Sequence, residues 1–257
     1  MNKRIREVFE NGKAFIPFIT GGDPDLETTE RLIVEMAASG ADMIEIGIPF
    51  SDPIAEGEVI QAASQRALER GTTADRLFEM VQRVRRTVKI PLLFMGYANS
   101  VYGYGGERFF ENCHASGVDG LILPDIPFEE REEFLEFSRR YGVDLISMIA
   151  PTSGERARAI GRKAEGFLYC VSSLGVTGVR EELNQEISAV IDQVHQVSDI
   201  PCAVGFGIAT PEQAREMAAF ADGVIVGSAI VKIVEEKGRD SILAVGQYVK
   251  QMKQAIG

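Results

Sequence analysis

The chain has 257 residues, 45% of them hydrophobic and 25% charged, a composition that excludes intrinsic disorder and supplies a core large enough to need no staples. Its 27 basic and 38 acidic residues leave a net charge of −11, which sets it against nucleic acid and anionic lipid, both of which bind through Lys and Arg. Three cysteines, Cys113, Cys170 and Cys202, form no CxxC pair and read as buried apolar residues of a reducing compartment. Without a secretory h-region or an apolar run of membrane-spanning length, the expected location is the cytoplasm.

Along the chain, a short N-terminal helix comes first, and then a β-branched apolar run alternates with a polar stretch of helical spacing. The runs are Ala14–Thr20, Met43–Ile48, Pro91–Tyr97, Gly120–Leu123, Leu145–Ala150, Phe167–Ser172, Cys202–Gly205 and Gly223–Val226. Helices are predicted over Leu26–Ala38, Ala74–Val88, Glu107–Ala115, Phe128–Tyr141, Gly154–Ala164, Glu186–Val197, Pro211–Ala219 and Ser241–Ile256. Eight strand–helix units in this length fit one (β/α)8 TIM barrel spanning residues 1–257, with long loops after strands two and six. An open doubly wound sheet is the competing architecture. The turn Thr20-Gly21-Gly22-Asp23-Pro24 after the first strand lacks the GxGxxG spacing of such dinucleotide-binding sheets and so favours the barrel.

In a barrel, chemistry belongs at the C-terminal ends of the strands. In Met43-Ile44-Glu45-Ile46-Gly47-Ile48, alternation places the three isoleucines against the helices and turns Glu45 inward, where loss of water raises a carboxyl pKa into the range of a general acid or base. An acidic loop with two prolines follows and brings a second carboxylate, Glu56. Strands seven and eight run into Gly205-Phe206-Gly207 and Gly227-Ser228. Glycines there, followed by a helix N-terminus, make a phosphate site from backbone N–H groups, to which Gly178 could add another. Such a site needs no Lys or Arg, so the acidic total does not forbid a phosphorylated ligand.

The two histidines, His114 and His195, lie in helical segments, which argues against a His-based metal site or a Ser-His-Asp triad. Lys232 and the other lysines flank strands at the wrong end or sit in or beside helices, so none suits a Schiff base. Metal-free acid–base chemistry by carboxylates on a small phosphorylated molecule remains.

The run Glu45 to Gly57 followed by Ile60-Gln61 closely resembles the signature of the tryptophan synthase α-subunit family. The likeness continues through Pro17–Pro24, Tyr97-Ala98-Asn99, Leu123–Pro127, Gly175-Val176-Thr177-Gly178, Gly205–Ile208 and Gly227-Ser228-Ala229. It implies retro-aldol cleavage of indole-3-glycerol phosphate to indole and glyceraldehyde 3-phosphate, a step of tryptophan biosynthesis that uses no cofactor. By the same resemblance, Glu45 is the general acid/base and Glu56 holds the indole N–H. Tyr169 lines the pocket, and Gly178, Phe206, Gly207, Gly227 and Ser228 surround the phosphate. Familiar members carry Asp at the position of Glu56, and an added methylene shifts a carboxylate by roughly 1 Å. The family acts as an α2β2 assembly with a β subunit that carries pyridoxal phosphate. A barrel that binds phosphate yet mainly activates that partner is the alternative. Tyr97, Tyr102 and Tyr104, among four glycines, suggest an aromatic loop suited either to docking or to folding onto its own barrel, and Ser173–Asn184 a lid over the pocket.

Overall fold

Strands buried on both faces pair in parallel when long crossovers join them, and the eight apolar runs do so here. A computed structural model describes residues 2–171, 180–205 and 207–257, with the backbone alone for 180–183. The first half holds α1 (Lys3–Glu10), β1 (Ala14–Thr20), α2 (Leu26–Ala38), β2 (Ile44–Gly47), α3 (Glu58–Glu69), α4 (Ala74–Val84), β3 (Leu92–Met95), α5 (Ala98–Tyr104), α6 (Gly106–Ser116) and β4 (Gly120–Ile122). The second half holds α7 (Glu132–Tyr141), β5 (Asp144–Ile149), α8 (Arg156–Gly161), β6 (Leu168–Val171), α9 (Arg180–His195), β7 (Cys202–Gly205), α10 (Pro211–Ala218), β8 (Gly223–Val226), α11 (Ser228–Lys237) and α12 (Ile242–Ile256). The strands pair in sequence order, and β8 returns to β1 through Ala14↔Gly223, so the parallel sheet closes into a TIM barrel.

All eight expected strands are present, with β1, β7 and β8 over the same residues as read from the sequence. Two helices, α3 and α5, were not expected. The buried face of α3 consists of Ala63, Ser64 and Ala67, small residues that leave little hydrophobic period to read. The tyrosine-rich segment, expected as a loop for docking or for packing on the barrel, is mostly α5, folded onto the barrel. Tyr97 is 2% exposed, and Tyr104 stacks edge-on against Phe78 and Phe109; Tyr102 alone is half exposed, with its hydroxyl bonded to Glu133. Glycine density suggested a loop, whereas Ala98 and Val101 bury one face of a two-turn helix.

Closure divides the apolar residues into two layers. Ile44, Ile46 and Ile48 join the outer layer beneath the helices, while Phe18, Leu93, Met95 and Tyr169 fill the lumen. The lumen is plugged from the N-terminal end by α1, whose Ile5 is fully buried among these residues and whose Phe9 packs 5.6 Å from Phe167. An ion cluster fixes the plug. Asp119, 1% exposed, accepts hydrogen bonds from Arg4 Nη1 at 2.7 Å, Asn2 Nδ2 at 3.2 Å, Leu92 N at 3.0 Å and Arg85 Nη2. Removing the carboxylate leaves the largely buried Arg85 bonded to the carbonyls of Gly117, Val88 and Ile90 but without its counter-charge, a change that costs about 3–5 kcal/mol. Asp119→Ala is therefore expected to lower unfolding free energy in urea by that amount, while kcat of the folded fraction stays near the parent value because the cluster lies at the opposite end from the strand termini.

Candidate active site

The strand register pairs Phe18 with Glu45 and Glu45 with Leu93, so the Glu45 carboxyl lies among apolar side chains. It is 1% exposed, and neither carboxyl oxygen has a hydrogen-bond partner among the described residues. Burial, reinforced by the nearby negative charge of Glu56, pushes its pKa up to about 8. An unpaired carboxyl in a sealed lumen destabilises the fold unless it is protonated, so its presence points to chemistry.

Glu56 enters from the loop between β2 and α3, which is held against the barrel wall. Phe50 stacks on Tyr97 at 5.0 Å, Ala55 N–H donates to the Tyr97 hydroxyl at 3.1 Å, and Gln61 Nε2 donates to the Glu56 carbonyl at 2.7 Å. Burial raises Glu56 to about 7, partly offset by a hydrogen bond from Tyr97. Tyr97, pushed up to about 12 mainly by burial, stays a phenol and remains able to donate. The sequence places Tyr97 in an aromatic loop for docking or for packing on the barrel and does not show its hydrogen bond to Glu56. Its place at the end of β3, beside the strand that carries Glu45, was the available signal.

Both carboxyls line one cavity of about 340 Å³ at the C-terminal rim, together with Tyr169, Gly207, Gly227 and Ser228. Apolar Phe18, Ile60, Met95 and Ile225 form its inner wall. Tyr169 lies against β7: a Cβ on Gly205 would sit 2.6 Å from the phenol oxygen, so only glycine leaves room for it. Gly207 adopts φ +74°, a left-handed turn that glycine accepts without strain. Gly227 begins α11 without a side-chain cap, and the first helical bonds are Ile230 N–H and Val231 N–H to the Gly227 carbonyl. The N–H groups of Ser228 and Ala229 are thus left at the cavity wall as an anion-binding end. By contrast, Thr210 caps α10 through a capping box with Gln213, with Pro211 in its first turn. Lys232, set aside in the sequence reading, also lines the cavity.

Gly178, Phe206 and residues 173–179 of the Ser173–Asn184 stretch expected as a lid fall outside the described residues, and the backbone of the remainder, 180–184, forms the start of α9. Among the described residues, one group could hold a metal: His195, Cys202 and Asp222, whose ligand atoms lie within 4.8 Å of one another at the N-terminal end of the barrel. The cavity itself offers carboxyls and a phenol but neither histidine nor cysteine. No described helix is long and apolar enough to cross a membrane.

The family model described as "Tryptophan synthase alpha chain" matches residues 6–256. The chain belongs to the tryptophan synthase alpha chain family. The alpha chain of Lacticaseibacillus casei is 44% identical over 253 residues, covering 98% of this chain and 95% of the relative. A crystal structure of the tryptophan synthase alpha subunit from Legionella pneumophila strain Paris superposes with a TM-score of 0.89 at 39% identity, over 100% of this chain and 98% of that one. A chain in the aminoacrylate-bound structure of tryptophan synthase from Mycobacterium tuberculosis gives a TM-score of 0.88 at 31% identity, over 99% of both.

A carboxyl whose folded pKa exceeds its ordinary value favours the folded state most at low pH and loses that contribution as pH rises to the folded pKa. For Glu45 the window runs from about 4.5 to about 8. Glu45→Gln, which removes the ionisation, should match the parent in thermal melts near pH 5 and exceed it progressively up to pH 8.5, by a few kcal/mol at most.

Proposed function

We propose that the chain is a single-domain carbon–carbon lyase that cleaves indole-3-glycerol phosphate to indole and glyceraldehyde 3-phosphate in tryptophan biosynthesis. The unpaired Glu45 carboxyl facing Glu56 across one cavity carries this reading, since two carboxyls with separated protonation states provide an acid and an anion together. In this assignment the indole ring occupies the apolar inner wall, and the phosphate meets the uncapped end of α11 with Gly207 and Ser228.

Glu45, protonated near neutral pH, gives its proton to indole C3 and makes that carbon a leaving group. Positive charge develops on the ring nitrogen, and Glu56 as a carboxylate accepts its N–H and stabilises that charge. The Glu45 carboxylate then takes the proton of the side-chain hydroxyl, the carbon–carbon bond breaks, and the electron pair returns to the indole ring as the aldehyde forms. One proton leaves Glu45 and one returns, so the carboxyl is regenerated. Tyr169 packs beside the reacting centre, and Gly178 and Phe206 complete the phosphate surroundings by the family resemblance. The reaction needs no cofactor. Pyridoxal phosphate belongs to a β-subunit partner, with which the chain forms an α2β2 assembly in the cytoplasm.

Glyceraldehyde 3-phosphate release from indole-3-glycerol phosphate, assayed with and without a β subunit, tests the reading. Product is expected in at least one case, and tight binding without product in either would replace the lyase by a regulatory barrel. The kcat/KM profile should be bell-shaped, rising as Glu56 ionises at about 7 and falling as Glu45 ionises at about 8. Glu45→Gln should abolish turnover while retaining substrate affinity. Glu56→Gln should lower kcat by about 100-fold and remove the rising limb from the residual rate.

A further inference from the structure

We propose that Lys232 is the charge-bearing contact for the substrate's phosphate, supplementing the backbone N–H groups at the start of α11. The proposal rests on reading the cavity as a phosphate-ester site. Three observations support it. Among the described residues lining the cavity, Lys232 is the only cation, and it shares that wall with Gly207, Gly227, Ser228 and Ala229. It follows Ser228 by four residues, and helical side chains lean back over the preceding turn, so its stem runs toward the uncapped N-terminus. It also has no hydrogen bond or ion pair among the described residues. Of the two acids one turn further on, Glu235 is instead engaged with Arg66 Nη1 at 3.0 Å, and Glu236 makes no ion pair with Lys232.

An exposed ammonium with no partner on its own helix gains most from an anion that the helix end already attracts. The backbone donors select a tetrahedral oxyanion by geometry. Lys232 adds a full charge that partial charges at a helix end do not supply. Its flexible stem lets the ammonium follow a phosphate that enters with the substrate and leaves with glyceraldehyde 3-phosphate, whereas a rigid buried arginine would hold the product. This is a binding contact remote from the breaking bond, so its loss should act on affinity rather than on the chemical step.

The test compares indole-3-propanol phosphate with indole-3-propanol, its phosphate-free counterpart, by titration calorimetry on the parent, Lys232→Gln and Lys232→Arg. The glutamine variant should bind the phosphate ester about tenfold more weakly, the value of one exposed charge-assisted hydrogen bond. It should bind the alcohol as the parent does, and arginine should restore most of the loss. In turnover, KM for indole-3-glycerol phosphate should rise by a similar factor with kcat within twofold. Added salt should weaken ester binding to the parent more than to the glutamine variant. Ester affinity within twofold of the parent in Lys232→Gln overturns the proposal, as does an equal loss for the alcohol, which would indicate altered packing. If the parent itself binds ester and alcohol alike, the phosphate reading of the cavity falls and this assignment with it.

Discussion

Closure of a parallel sheet fixes both where the chemistry can occur and what must be sealed elsewhere. Every strand runs the same way, so one rim collects all the C-terminal ends, and alternate residues of every strand must enter a common lumen. At the opposite end that lumen is stopped by Ile5 and Phe9 of α1, with the Asp119 cluster holding the plug in place. Inward positions near the base therefore have to be apolar. Those near the rim can be polar, because substrate or solvent reaches them. Glu45 stands at the transition: it is deep enough to lose its hydration and near enough to the rim to line the cavity.

That position conflicts with stability and is the feature most informative about function. A carboxyl without a hydrogen-bond partner in an apolar lumen favours no folded arrangement in itself, and an apolar residue there would pack with Leu93 and Phe18 at lower cost. Glu56 experiences a different environment. It is partly solvated and is addressed by the Tyr97 hydroxyl, which also accepts from Ala55 N–H. The Glu56 side chain is thus set by a loop that is itself tied to β3 through Phe50 and Tyr97. In the proposed reaction, what matters is where this loop places the carboxyl oxygens, more than side-chain length alone.

Period-two alternation in a strand is a short-range property, and it read correctly: Ile44, Ile46 and Ile48 face the helices and Glu45 the lumen. The start of α10 is equally local: Thr210, Pro211 and Glu212 read as its cap and first turn, and Gln213 completes the capping box. Features that depend on two distant segments were not legible. Tyr97 acquires its role from a loop some forty residues earlier, at Ala55, and α3 hides its buried face in small residues. Lys232 was dismissed because it is helical, although the spacing of four from Ser228 was visible in the sequence. The test applied to it was for a Schiff base at a strand end, and an ion contact from a helix one turn beyond the rim falls outside that test. The (β/α)8 order itself was readable because each unit repeats the same local alternation.

The net charge of −11 seems at odds with a phosphorylated ligand until the protonation states inside the barrel are considered. Exposed charges are screened over about 8 Å at physiological salt, so most of the acidic surface exerts little force on an anion at the rim. The relevant repulsion would come from Glu45 and Glu56, which share the cavity with the phosphate end. Desolvation keeps Glu45 mostly protonated below about 8 and raises Glu56 to about 7, so near neutral pH the pair carries at most about one negative charge instead of two. The surviving charge is on Glu56, carried by β2's loop, while the uncapped N–H groups belong to the turn after β8. In the proposed reaction, the apolar lumen that keeps a proton on Glu45 thus also removes a charge that would oppose entry of a phosphorylated substrate. On that reading one physical effect, loss of water around a single side chain, serves both binding and the acid step.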